Sequence, residues 1–181
     1  MDIHGLQKLT LLDYPGRVAC TVFLGGCNFR CPFCHNSPLL SPLPDEECFD
    51  TEEFFAYPEK RKWILDGVAI TGGEPLLQND IAQFIRRIKS LGLKGKLDTN
   101  GSFPDRLEEL ISEKLIDYIA MDVKSPLSSY KKVAGTDRYL NEIVKSIALI
   151  KGSGTEYEFR TTVVKELHAP EDMEEIGKLI E

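Results

Sequence analysis

Val18-Ala19-Cys20-Thr21-Val22-Phe23-Leu24-Gly25-Gly26-Cys27-Asn28-Phe29-Arg30-Cys31-Pro32-Phe33-Cys34 is the stretch from which the fold can be read. The β-branched and aromatic run Val18 to Phe23 reads as a strand. Gly25-Gly26 turns that strand at once into a loop carrying three thiols, which therefore stand at its C-terminal end. Cys27, Cys31 and Cys34 are separated by three and then two residues, a spacing that can hold three corners of an iron–sulfur cube. A four-iron cube held by three thiolates keeps one iron open to exogenous chemistry. With His35, the same triplet also makes a closed tetrahedral zinc set. A disulfide framework fits less well, because the chain has five cysteines, an odd number.

Outward from that stretch, strand and helix patterns alternate. A proline-rich stretch runs from Pro38 to Pro44, and Asp50-Thr51-Glu52-Glu53 then reads as a capped helix start. Gly67 to Thr71 is a second strand, ending in Gly72-Gly73-Glu74-Pro75. Ile81, Phe84, Ile85, Ile88 and Leu91 recur at helical spacing, with Gly92 where a C-terminal cap belongs. Gly95 to Thr99 is a third strand, closed by Asn100-Gly101. Pro104 opens a helix striped by Leu107, Leu110 and Ile111. Asp117 to Val123 reads as a fourth strand and Glu156 to Val164 as a fifth, with a helix between them marked by Leu140, Ile143, Val144 and Ile147. Pro170-Glu171-Asp172-Met173 begins a last helix that is in mid-pattern at Glu181. The expected architecture is α/β, with βα repeated five times over residues 1–181 read as one domain.

Strands joined by helical crossovers form a parallel sheet, whether open or curled into a barrel, and its functional loops follow the C-terminal ends of the strands. The polar signals obey that rule. The cysteine loop follows strand one and Gly72-Gly73-Glu74-Pro75 strand two; Asp98-Thr99-Asn100-Gly101 and Asp122-Val123-Lys124 follow strands three and four. Taken singly, a glycine pair or Asn-Gly is a turn, and Asp98, Asp122 and Lys124 are helix caps or solvated loop residues. Independent turns, however, have no reason to gather three carboxylates, a glycine pair and a lysine on the rim that carries three thiols.

Composition narrows the class. With 42% hydrophobic and 28% charged residues, 181 residues can bury a sizeable core and carry no signature of disorder. A net charge of −7 disfavours nonspecific binding to nucleic acid or anionic membrane. Lys60-Arg61-Lys62 reads as a solvated helix end. No apolar run is long enough to cross a membrane, and the first residues lack a secretion-signal pattern. A reducing, cytoplasmic compartment is the expectation.

The motifs resemble those of the radical S-adenosylmethionine (SAM) superfamily. The triplet Cys27-x-x-x-Cys31-x-Phe33-Cys34 is similar to its signature and Gly72-Gly73-Glu74-Pro75 to its second motif. Asp13-Tyr14-Pro15-Gly16, the run Phe23 to Asn36, Asp98-Thr99-Asn100-Gly101 and Met121-Asp122-Val123-Lys124 resemble the activating enzymes of glycyl-radical enzymes. Within that group the likeness is to activators of anaerobic ribonucleoside-triphosphate reductase and pyruvate formate-lyase, and it spans most of the chain. The resemblance implies a [4Fe–4S] cluster on Cys27, Cys31 and Cys34, and SAM on its open iron. It further implies SAM contacts from Phe33, His35, Gly72, Gly73, Glu74, Asp98, Asn100, Asp122 and Lys124, with Glu74 accepting from the methionine ammonium. In some members the carboxylates act through a monovalent cation. No catalytic residue is implied beyond the ligands of cluster and SAM, since the cofactor does the hard step.

The implied reaction is reductive cleavage of SAM, and then hydrogen abstraction from a glycine Cα of a partner glycyl-radical enzyme. The electron would come from a donor such as flavodoxin or ferredoxin, and oxygen sensitivity is expected. Two other classes stay open: a radical SAM enzyme acting on a small molecule, such as the deazaguanine-forming type, and a non-catalytic zinc or iron–sulfur module. The family's partial barrel has six βα units, and five are legible here, so either the chain is shortened or the sixth unit is absent. Arg160 is a further candidate to reach SAM, without a motif behind it. His168 reads as an ordinary loop histidine, Cys20 as a small apolar core residue and Cys48 as a surface thiol.

Overall fold

The computed structural model describes residues 1–41 and 48–181. Pro42 to Pro44 of the proline-rich stretch, and Asp45-Glu46-Glu47 beside Cys48, lie outside the described residues. Strands Ile3–Thr10 (β1), Ala19–Leu24 (β2), Gly67–Gly72 (β3), Lys94–Thr99 (β4), Tyr118–Asp122 (β5) and Glu156–Arg160 (β6) form one sheet, ordered as in the chain. β2 to β6 are mutually parallel, whereas β1 pairs antiparallel with β2. Helices Thr51–Arg61 (α1), Ile81–Ser90 (α2) and Pro104–Ser112 (α3) follow β2, β3 and β4. Tyr130–Ala134 (α4) and Leu140–Gly152 (α5) follow β5, and Pro170–Ile180 (α6) follows β6. The result is an open, partial β/α barrel whose edges are β1 and β6.

The five expected βα units are all present. The strand β1 is the addition, and its residues explain why alternation did not reveal it. Its pairing with β2 slips between Ile3 and Gly5 and again between Gln7 and Thr10, so inward and outward positions lose their period of two. β6 ends at Arg160 rather than at Val164, because its ladder to β5 stops at the pair Asp122 and Arg160. Val163, beyond that rung, is largely exposed.

The helices form where their apolar period and caps predict. Asp50 accepts from Glu52 N at 2.7 Å to start α1, and Lys60, Arg61 and Lys62 are exposed at its end. Ile81, Phe84, Ile85 and Ile88 of α2 are buried, each contributing about 2 kcal/mol relative to exposure. Phe84 closes an aromatic cluster with Phe54 and Phe55, ring centroids 5.0 to 5.2 Å apart. β2 and β3 are buried almost throughout, as strands covered on both faces should be. Cys20, inside β2, is fully buried among apolar neighbours, as expected of a small core residue.

The period of two in the later strands positions the site. Leu97, Ile119 and Met121 turn into the apolar core. Lys96 and Asp98 alternate with Leu97 on β4, Asp122 shares a face with Ala120 on β5, and Arg160 lies directly across from Asp122 on β6. Charge is thereby gathered on one face at the C-terminal ends of three neighbouring strands. No helix among the described residues is long and apolar enough to cross a membrane.

Candidate active site

One cavity is lined by Cys27, Cys31 and Cys34, by Phe33 and His35, by Gly72 and Gly73, and by Asp98, Asn100, Asp122 and Lys124. Eleven of the twelve residues singled out in the sequence thus meet around one space. Glu74 does not line it. Its carboxylate is wholly buried and accepts from Leu76 N at 3.0 Å, Thr99 Oγ1 at 2.9 Å and Asn100 N at 2.7 Å. Burial pushes this carboxyl up to about 7, against the pull of those three donors. Through these bonds Glu74 is a brace that ties the loop after β3 to the loop after β4.

The cysteine loop is fastened to both neighbours by backbone and amide groups. Gly73 N donates to Leu24 O and Glu74 N to Gly26 O, both at 2.8 Å. Asn36 Nδ2 donates to Gly72 O at 3.0 Å. A Cβ on Gly73 would lie 1.9 Å from Gly26 O, and one on Gly72, at φ 117°, 2.4 Å from Leu24 N. Only glycine permits so close an approach of two backbones at these positions. Asn28, between the first two cysteines, donates to Ser102 Oγ at 2.9 Å and accepts from Asn100 Nδ2 at 2.9 Å. Asn100 Oδ1 in turn accepts from Ser102 N.

The thiols are half-buried. Burial pushes the Cys27 thiol up to about 11 and also raises Cys31, for which the Lys124 ammonium is the main opposing influence. Phe29 N donates to Cys27 Sγ at 3.4 Å, and Asn100 Nδ2 lies 3.9 Å from the same sulfur. Two thiols raised by burial, with N–H groups directed at the Cys27 sulfur, suit a positively charged metal centre, whose charge makes thiolates the stable form.

Opposite the thiols runs an alternating chain of charge. Lys96 Nζ lies 2.6 Å from Asp98 Oδ1, Arg160 NH2 3.4 Å from Asp98 Oδ2, Arg160 Nε 3.0 Å from Asp122 Oδ1, and Lys124 Nζ 3.0 Å from Asp122 Oδ2. Burial would raise the Asp122 carboxyl, but Lys124 and Arg160 outweigh it and hold Asp122 below the usual carboxylate range. Burial likewise opposes the Lys124 and Arg160 charges, and the neighbouring carboxylates reverse that effect, keeping both cationic. Arg160, without a motif in the sequence, bridges the two carboxylates and lines the cavity.

Leu40, Thr71 and Thr162 also line the cavity and gave no signal in the sequence, while Phe29 and Asn36 line it from within the run Phe23 to Asn36. Asn28 and Asn36, flanking the thiols, carry the one hint, since amides beside a metal loop are apt to fasten it. His168 is more than a loop histidine. It is buried, its Nδ1 accepts from Val164 N at 3.1 Å, and its Nε2 donates to Lys124 O at 2.9 Å. Its ring meets Phe33 edge-on at 6.4 Å. Cys48 is exposed as expected, but it stands against Asp2 and His4.

The sequence profile described as the radical SAM superfamily matches residues 21–180. The chain is 36% identical over 98% of its length to a Methanocaldococcus jannaschii protein provisionally named a glycyl-radical enzyme activating enzyme, covering 75% of that protein. It is 29% identical over 80% of its length to the pyruvate formate-lyase-activating enzyme of Clostridium pasteurianum, of which it spans 62%. Among solved structures, that of Streptococcus suis SuiB bound to S-adenosylmethionine superimposes with a TM-score of 0.65 at 18% identity. That likeness covers 85% of this chain and 35% of SuiB.

Proposed function

Because this chain belongs to the radical SAM superfamily, whose enzymes use a [4Fe–4S] cluster and S-adenosylmethionine, we propose that it activates a partner glycyl-radical enzyme. The observation that carries the reading is the meeting of three thiols, the Gly72-Gly73 backbone and the Lys124–Asp122–Arg160 charges in one cavity. Likeness over 98% of this chain, and 75% of the relative, to a provisionally named activating enzyme supports the choice of substrate.

Cys27, Cys31 and Cys34 hold the cluster, each as a thiolate on a loop that Gly26, Gly73 and Asn36 keep rigid. Lys124 and Arg160 face the SAM carboxylate with permanent positive charge, and charge-assisted contacts of this kind orient as well as attract. The backbone of Gly72 and Gly73, which lines the cavity, would meet the methionyl group. Glu74 acts through them as a positioning residue. Phe33 and the segment at His35 would receive the adenine, and Asn100 holds the cysteine loop through Asn28. Bound at these residues, a reduced cluster and SAM would supply reductive sulfonium cleavage, and the hydrogen carried off in 5′-deoxyadenosine would come from a glycine Cα of the partner, leaving a glycyl radical there. A protein loop needs lateral access to this cavity, which the open sheet affords.

Anaerobically reconstituted protein, given SAM and dithionite, reduced flavodoxin or reduced ferredoxin, is expected to form 5′-deoxyadenosine. With the right glycyl-radical enzyme, electron spin resonance should show a glycyl doublet in the partner. No 5′-deoxyadenosine from cluster-loaded protein overturns the superfamily chemistry. Formation of 5′-deoxyadenosine with a small molecule, and no partner radical, overturns the activating role.

We read Arg160 as the internal counterpart of the monovalent cation found between carboxylates in some family members. SAM cleavage by the wild type should accordingly be the same in sodium, potassium or tetramethylammonium salts at constant ionic strength. Arg160→Ala leaves Asp98 and Asp122 facing each other without their bridge. It should lower kcat/KM about 10²-fold, equivalent to about 3 kcal/mol. Sodium or potassium should restore part of the loss.

A further inference from the structure

Asp2, His4 and Cys48 form a second cluster of donor atoms, outside the cavity. Asp2 Oδ1 lies 3.0 Å from His4 Nε2, Cys48 Sγ 3.3 Å from Asp2 Oδ1, and Cys48 Sγ 3.5 Å from His4 Nε2. Zinc bonds of about 2.0 Å to nitrogen or oxygen and about 2.3 Å to sulfur, at tetrahedral angles, set ligand–ligand edges of about 3.3 Å for N–O and about 3.5 Å for O–S and N–S. The three observed edges fall within a few tenths of an ångström of that triangle.

The surroundings hold the three donors together. Phe49 N donates to Ile3 O at 2.8 Å in an isolated antiparallel bridge, which sets Cys48 across from His4. Asp2 and His4 are two residues apart and project to the same side. Gln78 accepts from Asp2 N and donates to Gly25 O, both at 3.0 Å, while Gly25 N donates to Asp2 O at 2.8 Å. A Cβ on Gly25 would lie 2.6 Å from His4 Cδ2 and 2.7 Å from His4 Nε2, so glycine at this position leaves room for the imidazole. The His4 side chain is 5% exposed and that of Asp2 46%, and Cys48 is exposed.

We propose that Asp2 Oδ1, His4 Nε2 and Cys48 Sγ bind one zinc ion at three corners of a tetrahedron. A thiolate, an imidazole and a carboxylate suit zinc, whereas calcium and magnesium prefer all-oxygen sets and a single thiolate cannot hold an iron–sulfur cluster. On binding, a Zn–S bond replaces the Cys48 S–H bond and the proton leaves to solvent, with no change of oxidation state. The ion would clip β1 and the segment at Cys48 to Gly25, two residues before the first cysteine of the loop.

The test is zinc titration of cluster-loaded, full-length protein under anaerobic conditions, followed by gel filtration and metal analysis. Iron on the loop cysteines keeps them from competing. The wild type should retain about one zinc per chain with its iron unchanged. His4→Ala and Cys48→Ala should each weaken zinc binding by at least about 10-fold while keeping their iron, which also reports that they fold. Zinc X-ray absorption should show one sulfur neighbour among nitrogen and oxygen. Failure of the wild type to bind zinc, full retention by both variants, or two or more sulfur neighbours overturns the proposal. Because 5′-deoxyadenosine formation is measured separately, this outcome is independent of the SAM reading.

Discussion

Cys31→Ala is expected to yield colourless protein that forms no detectable 5′-deoxyadenosine. Three thiolates are the minimum that can fix a four-iron cube and keep one iron open, so two remaining ligands leave a second corner without protein support. Cys31 is half-buried in the cavity, and burial raises its thiol, with Lys124 opposing. Assembly therefore depends on the metal's own charge to deprotonate the loop, and that gain is shared among three ligands. Iron content should fall below about a tenth of wild type and SAM cleavage by more than about 10³-fold. Cys20→Ala is the matched control: it removes a buried thiol from β2 and should keep iron and colour. Iron analysis, visible absorption and chromatography of 5′-deoxyadenosine together decide the matter. A Cys31→Ala protein with wild-type iron would exclude the loop as the cluster site.

Glu74→Gln should have the next largest effect, on both stability and rate. Glu74 is fully buried, and its two oxygens accept from Leu76 N, Thr99 Oγ1 and Asn100 N. An amide keeps one acceptor oxygen but sets an NH2 against a backbone or hydroxyl donor, leaving buried donors unmatched at about 1–3 kcal/mol. Folding also raises the Glu74 carboxyl from an ordinary 4.5 to about 7, because burial opposes its charge. The folded chain thus holds this proton more tightly than the unfolded one. The stability it contributes is complete below about 4.5 and is lost as pH climbs through about 7. Wild-type stability should therefore decline between pH 5 and pH 8, and Glu74→Gln, less stable at pH 5, should lose this part of the slope. Since Glu74 sets the loops that carry Gly73 and Asn100, kcat/KM for SAM cleavage should drop about 10²-fold. Denaturant titrations at the two pH values, with cleavage assays, test both effects; an unchanged slope would remove Glu74 as its source.

Much of this molecule was legible as pattern. The period of α2, the capped start of α1 and the runs behind β2 to β5 are local properties, fixed within a dozen residues by propensity and apolar spacing. The site was legible for a related reason. In a parallel βα sheet every functional loop follows a strand's C-terminal end, so ordering the strands already brings Cys27, Gly72, Asp98 and Asp122 to one rim. What escaped was whatever depends on direction. β1 lacks alternation because its register slips twice, and His168 shows no motif because its partners are the backbone atoms of Val164 and Lys124.

The sequence by itself determined the alternation of elements, the loop of three thiols and the residue types available at the rim. Only the tertiary structure decided that Glu74 points behind the cavity wall while Asp98 and Asp122 face into it. It likewise set Arg160 between those two carboxylates and brought Cys48 to Asp2 and His4. The physical reason is that period and propensity act along the chain. Which side of a loop a carboxylate takes, and which distant group it meets, follow from strand register and from pairing every buried polar atom, and these are satisfied between segments rather than within them.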